Sequence, residues 1–290
     1  MSTENIIKKF ILNLKLKKRS PSTIIAYKKD IEQLNDFVEQ SGLVIQNAQA
    51  ETLQKFIDKL ISENKFTLKT ISRKINSIKT FYKFLLEEKI VKENHAAAIK
   101  HPKFKSELPR ILSPLEYKAL RDTVKNNLRL YTMVEILLQT GMRIGELSRL
   151  QLSHVQKESS KTILVIVPFA SNPKREIELN ESAQKAIEEW LKVRSKNHSD
   201  RGYMFQTRSG NPVLVRNIRT SINRAFKKVG IKDATVNDIR NTFIVHQIEH
   251  GVDLEIIART VGHQRITSTE KYLEFINNRP KKIIKKLQVL

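Results

Sequence analysis

The sequence predicts a mainly α-helical protein with a small antiparallel β-sheet, divided into a helical first part and a mixed second part. Three observations lead there. Glycine and proline number 8 each in 290 residues, which leaves few chain breaks and favours long helices. Apolar residues recur at intervals of three and four along most of the chain. One stretch, Lys161 to Leu179, instead carries two β-rich runs around a turn. The length also exceeds that of a common single core, so two domains are expected.

Ile6, Ile7, Phe10, Ile11 and Leu14 mark a first helix, and Ser20-Pro21-Ser22 supplies the turn and cap for a second that buries Ile24, Ile31, Leu34 and Val38 and ends near Gly42. A third carries Leu53, Phe56, Ile57, Leu60 and Ile61, and a fourth carries Ile71, Ile75, Ile78, Phe81, Tyr82 and Leu85. These four fill a first domain, residues 1–100. The periodicity then lapses. A basic, proline-punctuated run with His101, Pro102, Lys103, Lys105, Pro109 and Arg110 reads as a linker over 101–111, before a second domain at 112–290.

That domain opens on Ser113-Pro114-Leu115-Glu116, a helix start with proline at the first helical position, followed by a strongly apolar helix over Leu130 to Gln139 that Gly141 ends. Lys161 to Val167 and Arg175 to Leu179 form the hairpin or sheet around Ser171-Asn172-Pro173. Helices follow at about Ser182 to Arg194, Arg216 to Lys228, Asp238 to His250, Leu254 to Val261 and Ser268 to Phe275. The tail, Pro280 to Leu290, alternates lysines with Ile283, Ile284, Leu287 and Leu290 as a short amphipathic helix.

Composition narrows the partners. A formal charge of +23 points to a polyanion, because each phosphate neutralised by lysine or arginine releases condensed counterions. On charge alone an RNA-coating protein fits as well as a DNA enzyme. Cysteine is absent, which excludes disulfides, thiolate metal sites and a cysteine nucleophile, and fits a reducing cytoplasm. The longest apolar run, Ile163 to Val167, is too short to cross a bilayer, so no membrane partner is expected. On the fourth helix Lys69, Arg73, Lys74 and Lys79, beside Thr67, Thr70 and Ser72, suit entry into a DNA major groove. Lys103 and Arg175 join them as candidate DNA contacts.

The chemistry-bearing residues lie in the second domain. Arg143 sits in Thr140-Gly141-Met142-Arg143-Ile144-Gly145-Glu146-Leu147, where Glu146 is placed to orient its guanidinium; Arg240 sits in Asn237-Asp238-Ile239-Arg240-Asn241-Thr242-Phe243. His263 follows Gly262, and Tyr272 comes nine residues later. A phosphodiester repels nucleophiles, so its cleavage needs cationic donors aimed at the charge that builds in the transition state, and the arginine fork suits this best. A phenol attacks only where nearby cations stabilise its phenolate. His246-Gln247-Ile248-Glu249-His250 also matches a zinc-protease pattern, for which Glu270 and Glu274 are candidate acidic third ligands downstream, but no metal is expected.

Taken together, these segments, with Ser20 to Tyr27, Thr70 to Ile75, Gly251 to Leu254 and Thr267-Ser268-Thr269, resemble the tyrosine recombinase (phage integrase) family, most closely its compact Xer-like members. The resemblance implies a helical core-binding domain and a mixed α/β catalytic domain closing on duplex DNA as a C-shaped clamp. Tyr272 becomes the nucleophile forming a 3′-phosphotyrosyl bond, Arg143 and Arg240 the clamp on the non-bridging oxygens, and His263 a further donor. No metal or other cofactor is implied. Members act as tetramers on two duplexes, here of one gene product or with a paralogue, and the C-terminal helix docks on a neighbour.

The sequence departs from the family pattern at the start of the second arginine motif, where Asn237 stands for a histidine, and in the hairpin, where the closest register puts Ala170 at the general-acid lysine. Lys174, four residues on, is the nominated replacement, and Asn241 also stands where many relatives have histidine. Two alternatives stay open at this point: a recombinase-like DNA-binding protein with impaired catalysis, and a type IB topoisomerase.

Overall fold

Helices begin in this chain where the sequence supplies caps. The computed structural model describes residues 2–104, 107–158, 161–169, 172–194 and 200–275, and the chain separates into two units, Met1–Ser106 and Glu107–Leu290. In the first, α1 (Thr3–Leu16), α2 (Pro21–Glu39), α3 (Ala50–Ser62) and α4 (Leu68–Glu87) follow the expected order. Ser20 and Thr67 accept from the backbone N–H groups of Thr23 and Thr70, each at 3.2 Å, satisfying donors that the first helical turn leaves without partners.

The apolar stripes of α1 to α4 meet in one core that includes Phe10, Leu34, Leu53, Ile71, Ile78 and Phe81. Each such side chain, fully buried, contributes about 1.5–3 kcal/mol relative to exposure. A polar knot ties α2 to α4 beside this core. Asp30, 3 % exposed, accepts the fork of Arg73, the Lys74 ammonium at 3.0 Å and the Ser77 hydroxyl at 2.9 Å. Lys74 also donates to Gln33 at 2.6 Å and lies over the Phe66 ring.

This knot corrects the expected groove-binding face of α4. Lys74 is buried at 4 % exposure, since it falls on the same helical side as Ile71, Ile75 and Ile78. Arg73 turns toward the same carboxylate, and Lys79 donates to the Ala97 carbonyl at 3.2 Å. Lys69 and Lys103 remain exposed.

In the second unit, α5 (Pro114–Val124) starts with a reciprocal cap, Glu116 N–H to Ser113 Oγ and Ser113 N–H to Glu116 Oε2, and α6 (Leu128–Thr140) runs through the core. Gly141 ends α6 at φ +59°, and a Cβ there would run into the Phe243 ring, so glycine is required twice over. The short α7 (Ile144–Ser148) follows.

Strands β1 (Val155–Glu158), β2 (Lys161–Ile166) and β3 (Arg175–Glu178) form an antiparallel sheet in the order β1-β2-β3, with Leu164 opposite Ile177 and Ile166 opposite Arg175. The edge strand β1, polar and only 4 residues long, carries no period that the sequence reading could detect. Along β3, Arg175 and Ile177 point inward and Glu176 and Glu178 outward.

The remaining elements are α8 (Glu181–Val193), α9 (Val215–Lys228), α10 (Val236–Glu249), α11 (Leu254–Val261) and α12 (Thr267–Glu270). The helix expected to continue to Phe275 tightens into a 3₁₀ segment over Lys271–Phe275, in which Tyr272 is buried. The expected amphipathic helix over 280–290, with Ile283, Ile284, Leu287 and Leu290, lies outside the described residues.

Candidate active site

Three backbone features aim the first arginine. The left-handed Gly141 turns the chain out of α6, Arg143 caps α7, and its N–H donates to Glu146 Oε2 at 2.8 Å. The Arg143 guanidinium then reaches α11, with Nη1 donating to the Val261 carbonyl at 3.2 Å and Nη2 to the Gly262 carbonyl at 2.8 Å. Its bond to Glu146 Oε1 is long, 3.4 Å.

Glu146 is occupied mainly by another partner. Arg175 Nη1 and Nη2 grip Oε1 and Oε2 at 2.9 and 2.6 Å, while Arg175 Nε donates to the Thr260 carbonyl at 2.7 Å. Burial acts to raise the Glu146 carboxyl, but the bonds and charge of Arg175, then of Arg143, hold it below the usual carboxylate range. Arg175 therefore fastens β3 to α7 and α11 as a buried brace. Its side chain is 3 % exposed, so the expected DNA contact at this residue is corrected. The sequence signal was its inward phase with Ile177 on β3.

Gly262 makes this approach possible. It adopts φ +72°, and an added Cβ would sit 2.9 Å from Arg175 Nη1 and 3.1 Å from Arg143 Nη1.

Arg240, in the second turn of α10, is buried at 7 % and donates from Nη1 to the Gly141 carbonyl at 2.6 Å. Burial, then the neighbouring charge of Arg143, pushes it down to about 9, leaving it charged at neutral pH. His263 is half-buried, with Nδ1 2.8 Å from Thr269 Oγ1. Burial and the charges of Arg240 and Arg143 push it down to about 3, so the ring is neutral across the physiological range.

The Tyr272 hydroxyl donates to Asn241 Oδ1 at 2.8 Å. Asn241 Nδ2 donates to the Arg110 carbonyl and to Asp238 Oδ1, each at 3.1 Å, which fixes the amide with its oxygen toward the phenol. Burial raises the Tyr272 phenol, and the Arg240 charge acts against that rise. Asn241, given little weight in the sequence reading, is thus the direct partner of Tyr272; its position one residue after Arg240 was the available signal.

Arg143, Asn237 and Arg240 line one cleft of about 570 Å³. Asn237 is exposed there, with Nδ2 3.5 Å from Asn241 Oδ1. Lys174 is not brought in. It sits on the outward side of β3, 60 % exposed, and pairs with Glu176 at 3.2 Å. Ala170 lies outside the described residues. The cleft adds three residues that sequence reasoning passed over, Arg149, Phe169 and Arg219.

The zinc-like pattern folds into something else. His246 and His250 stack with ring centres 4.1 Å apart, and no group of three or more metal-ligating side chains occurs among the described residues.

Two guanidinium groups that share an open cleft, with a neutral histidine and a buried phenol both in the electrostatic field of Arg240, suit phosphodiester transfer. Residues 106–278 match the phage integrase family, and residues 7–89 match the phage integrase N-terminal SAM-like domain. The chain belongs to the phage integrase family and is a site-specific DNA recombinase of the tyrosine type, Xer-like in kind.

Among relatives, it is 27 % identical to the tyrosine recombinase XerC of Leptospira interrogans serovar copenhageni, over 98 % of this chain and 93 % of that one. It is also 27 % identical to XerC of Staphylococcus haemolyticus, over 97 % and 95 %. Among solved structures, the fold is similar to XerH bound to a palindromic difH substrate (TM-score 0.74, 16 % identity, 87 % of this chain and 76 % of that one). It is also similar to a lambda integrase dimer bound to a COC′ core site (TM-score 0.73, 16 % identity, 99 % and 81 %). The matches favour neither a type IB topoisomerase nor a binding protein with impaired catalysis.

Proposed function

We propose that the recombinase cuts and rejoins duplex DNA through a 3′-phosphotyrosyl bond on Tyr272. The observation that carries this is the phenol of Tyr272 within the electrostatic reach of Arg240, which shares an open cleft with Arg143. Arg143 and Arg240 retain guanidinium donors beyond those committed to backbone carbonyls and Glu146, and these clamp the non-bridging oxygens. With Thr269 donating to His263 Nδ1, the neutral ring presents Nε2–H as a further donor.

In the first step the Tyr272 oxygen bonds to phosphorus, the bond to the 5′-oxygen breaks, and the electron pair leaves on that oxygen. The phenol loses one proton and the 5′-hydroxyl gains one, both exchanged with water. Attack by a partner strand's 5′-hydroxyl reverses the step and restores the phenol. Asn237 hydrogen-bonds in the cleft but does not titrate. The covalent link retains the bond energy, so no cofactor is required.

We assign residues 1–100 to DNA binding, with Lys69 among the exposed cations, 101–111 to a linker that adds the exposed Lys103, and 112–290 to catalysis. The active species is a tetramer on two duplexes, of this chain alone or with a paralogue. A cytoplasmic setting accords with the absence of cysteine from the sequence. No described helix is long and apolar enough to cross a membrane.

The test is trapping on nicked duplexes of randomised sequence, in which the released fragment diffuses away. The full chain is expected to yield a denaturant-resistant adduct that Tyr272→Phe does not form, and sequencing the trapped DNA reports the site. An unsubstituted chain that never becomes linked to any duplex would overturn the reading.

A further inference from the structure

Two cations that line the cleft have no role so far, the exposed Arg219 on α9 and Arg149, and of the two it is Arg149 that is held against an aromatic ring. Arg143 gives hydrogen bonds to two carbonyls and to Glu146, Arg240 gives one to Gly141, and Arg175 gives three and is buried. Arg149, at the C-terminal end of α7, also lines the cleft and is partly exposed. Among the described residues its guanidinium donates no hydrogen bond and forms no ion pair. It lies instead on an aromatic platform, with its central carbon 3.6 Å from the centre of the Phe169 ring.

The platform residue lies between β2 and β3, where its backbone pairs with that of Asn172. Phe169 N–H donates to the Asn172 carbonyl at 3.1 Å and Asn172 N–H to the Phe169 carbonyl at 2.9 Å, which ties down the backbone that carries the ring. Stacking covers one face of the guanidinium and leaves all five N–H groups at its edges, in the plane, available to a ligand. Burial lowers Arg149 while the nearby Glu146 charge opposes the change.

Phosphoryl transfer develops negative charge in two places, on the non-bridging oxygens and on the oxygen that leaves. Arg143 and Arg240 serve the first. For the second, Lys174 is turned outward to Glu176, and Asn237 is a neutral amide. We propose that Arg149, held flat by Phe169, is a catalytic residue that donates hydrogen bonds to the departing 5′-oxygen. It keeps its own protons, and the oxygen takes its proton from water. This inference rests on the covalent Tyr272 reading above and names the group that serves the other side of the same phosphorus.

The test compares two nicked duplexes carrying the sequence recovered by trapping, one with the normal 5′-oxygen at the scissile position and one with sulfur in its place. A thiol has a pKa near ~8.5 and leaves as the thiolate without help. On the oxygen duplex, Arg149→Ala is expected to slow single-turnover adduct formation about 100-fold. On the sulfur duplex it should stay within about threefold of the unsubstituted protein, because the leaving group no longer needs the donor.

Phe169→Leu, which keeps the cation and removes its platform, should lose about tenfold on oxygen and likewise recover on sulfur. Equal losses on both duplexes would assign Arg149 to phosphate binding or to structure, and an unimpaired Arg149→Ala would remove it from the reaction; either result overturns the inference while Tyr272 chemistry stands. Failure of the unsubstituted chain to link to either duplex would overturn the Tyr272 reading and this one with it.

Discussion

Asp30 in the first unit and Glu146 in the second are both buried carboxylates on which two cations converge, and they do opposite things to those cations. Asp30 takes Arg73, Lys74 and Ser77 together, so the basic charge of mid-α4 is paired, with Lys74 turned inward. Glu146 is gripped at both oxygens by Arg175, and Arg143 touches it only through its N–H and one long contact. Arg143 keeps a side chain 33 % exposed against 3 % for Arg175. A carboxylate with a dedicated cation orients a second cation without neutralising it. A carboxylate shared by two is the counter-charge of both, and here it buries Lys74 while Arg73 keeps a side chain 41 % exposed.

The strongest way to break this contrast is to delete each carboxylate. Asp30→Asn leaves Lys74 buried without a counter-charge, and Glu146→Gln does the same to Arg175, so each is expected to cost about 3–5 kcal/mol in chemical denaturation. Only Glu146→Gln should also slow adduct formation, by about 100-fold. Comparable rate losses in both variants, measured on the folded fraction, would show that the two clusters do not differ in kind.

A smaller effect is expected at Gly262. Gly262→Ala places a left-handed alanine, about 1–2 kcal/mol less stable, and a methyl group between Arg175 and Arg143. Adduct formation should fall about tenfold, with the midpoint of thermal unfolding lowered by several degrees. An unchanged rate would mean that the gap between the two arginines tolerates a methyl group.

Acid sharpens the comparison further. Glu146 is held below its unfolded value of 4.5, so its contribution is complete above that value and is lost as the pH falls through the folded one. His263 and His246 are pushed down to about 3 and about 4 from 6.5, so each also withdraws stability as the pH drops below 6.5, where only the unfolded chain binds the proton. Thermal stability of the free protein should decline steadily from pH 7 to pH 4. Histidine NMR should show His263 still neutral at pH 5, and a titration midpoint near 6.5 would remove the cationic neighbourhood proposed for it. The smallest effect belongs to Lys174→Ala. Its exposed pairing with Glu176 contributes about 0–1 kcal/mol, and rates on either duplex should change by less than about threefold.

The helices were legible because burial repeats with the period of the backbone: α11 runs from Leu254 to Val261 as the spacing predicts, and Ser113 with Glu116 forms the cap that their separation implies. Arg143, Arg240, His263 and Tyr272 were identifiable by order and local motif. What became of each positive charge was not. Lys74, Arg175 and Lys174 look alike along the chain, yet one is bound to Asp30, one braces Glu146 and one faces solvent.

Sequence alone therefore determined the helical framework and the family, and it nominated the residues proposed for phosphodiester chemistry, because those depend on local periodicity and on side-chain type. Only tertiary structure decided which cations remain available, that Asn241 holds the Tyr272 hydroxyl, and that Arg149 rests on Phe169. The physical reason is that charge is neutralised by partners close in space, and here Arg73 and Lys74 lie 43 and 44 residues from Asp30 and Arg175 lies 29 from Glu146, while the amide that holds the phenol lies 31 residues from it.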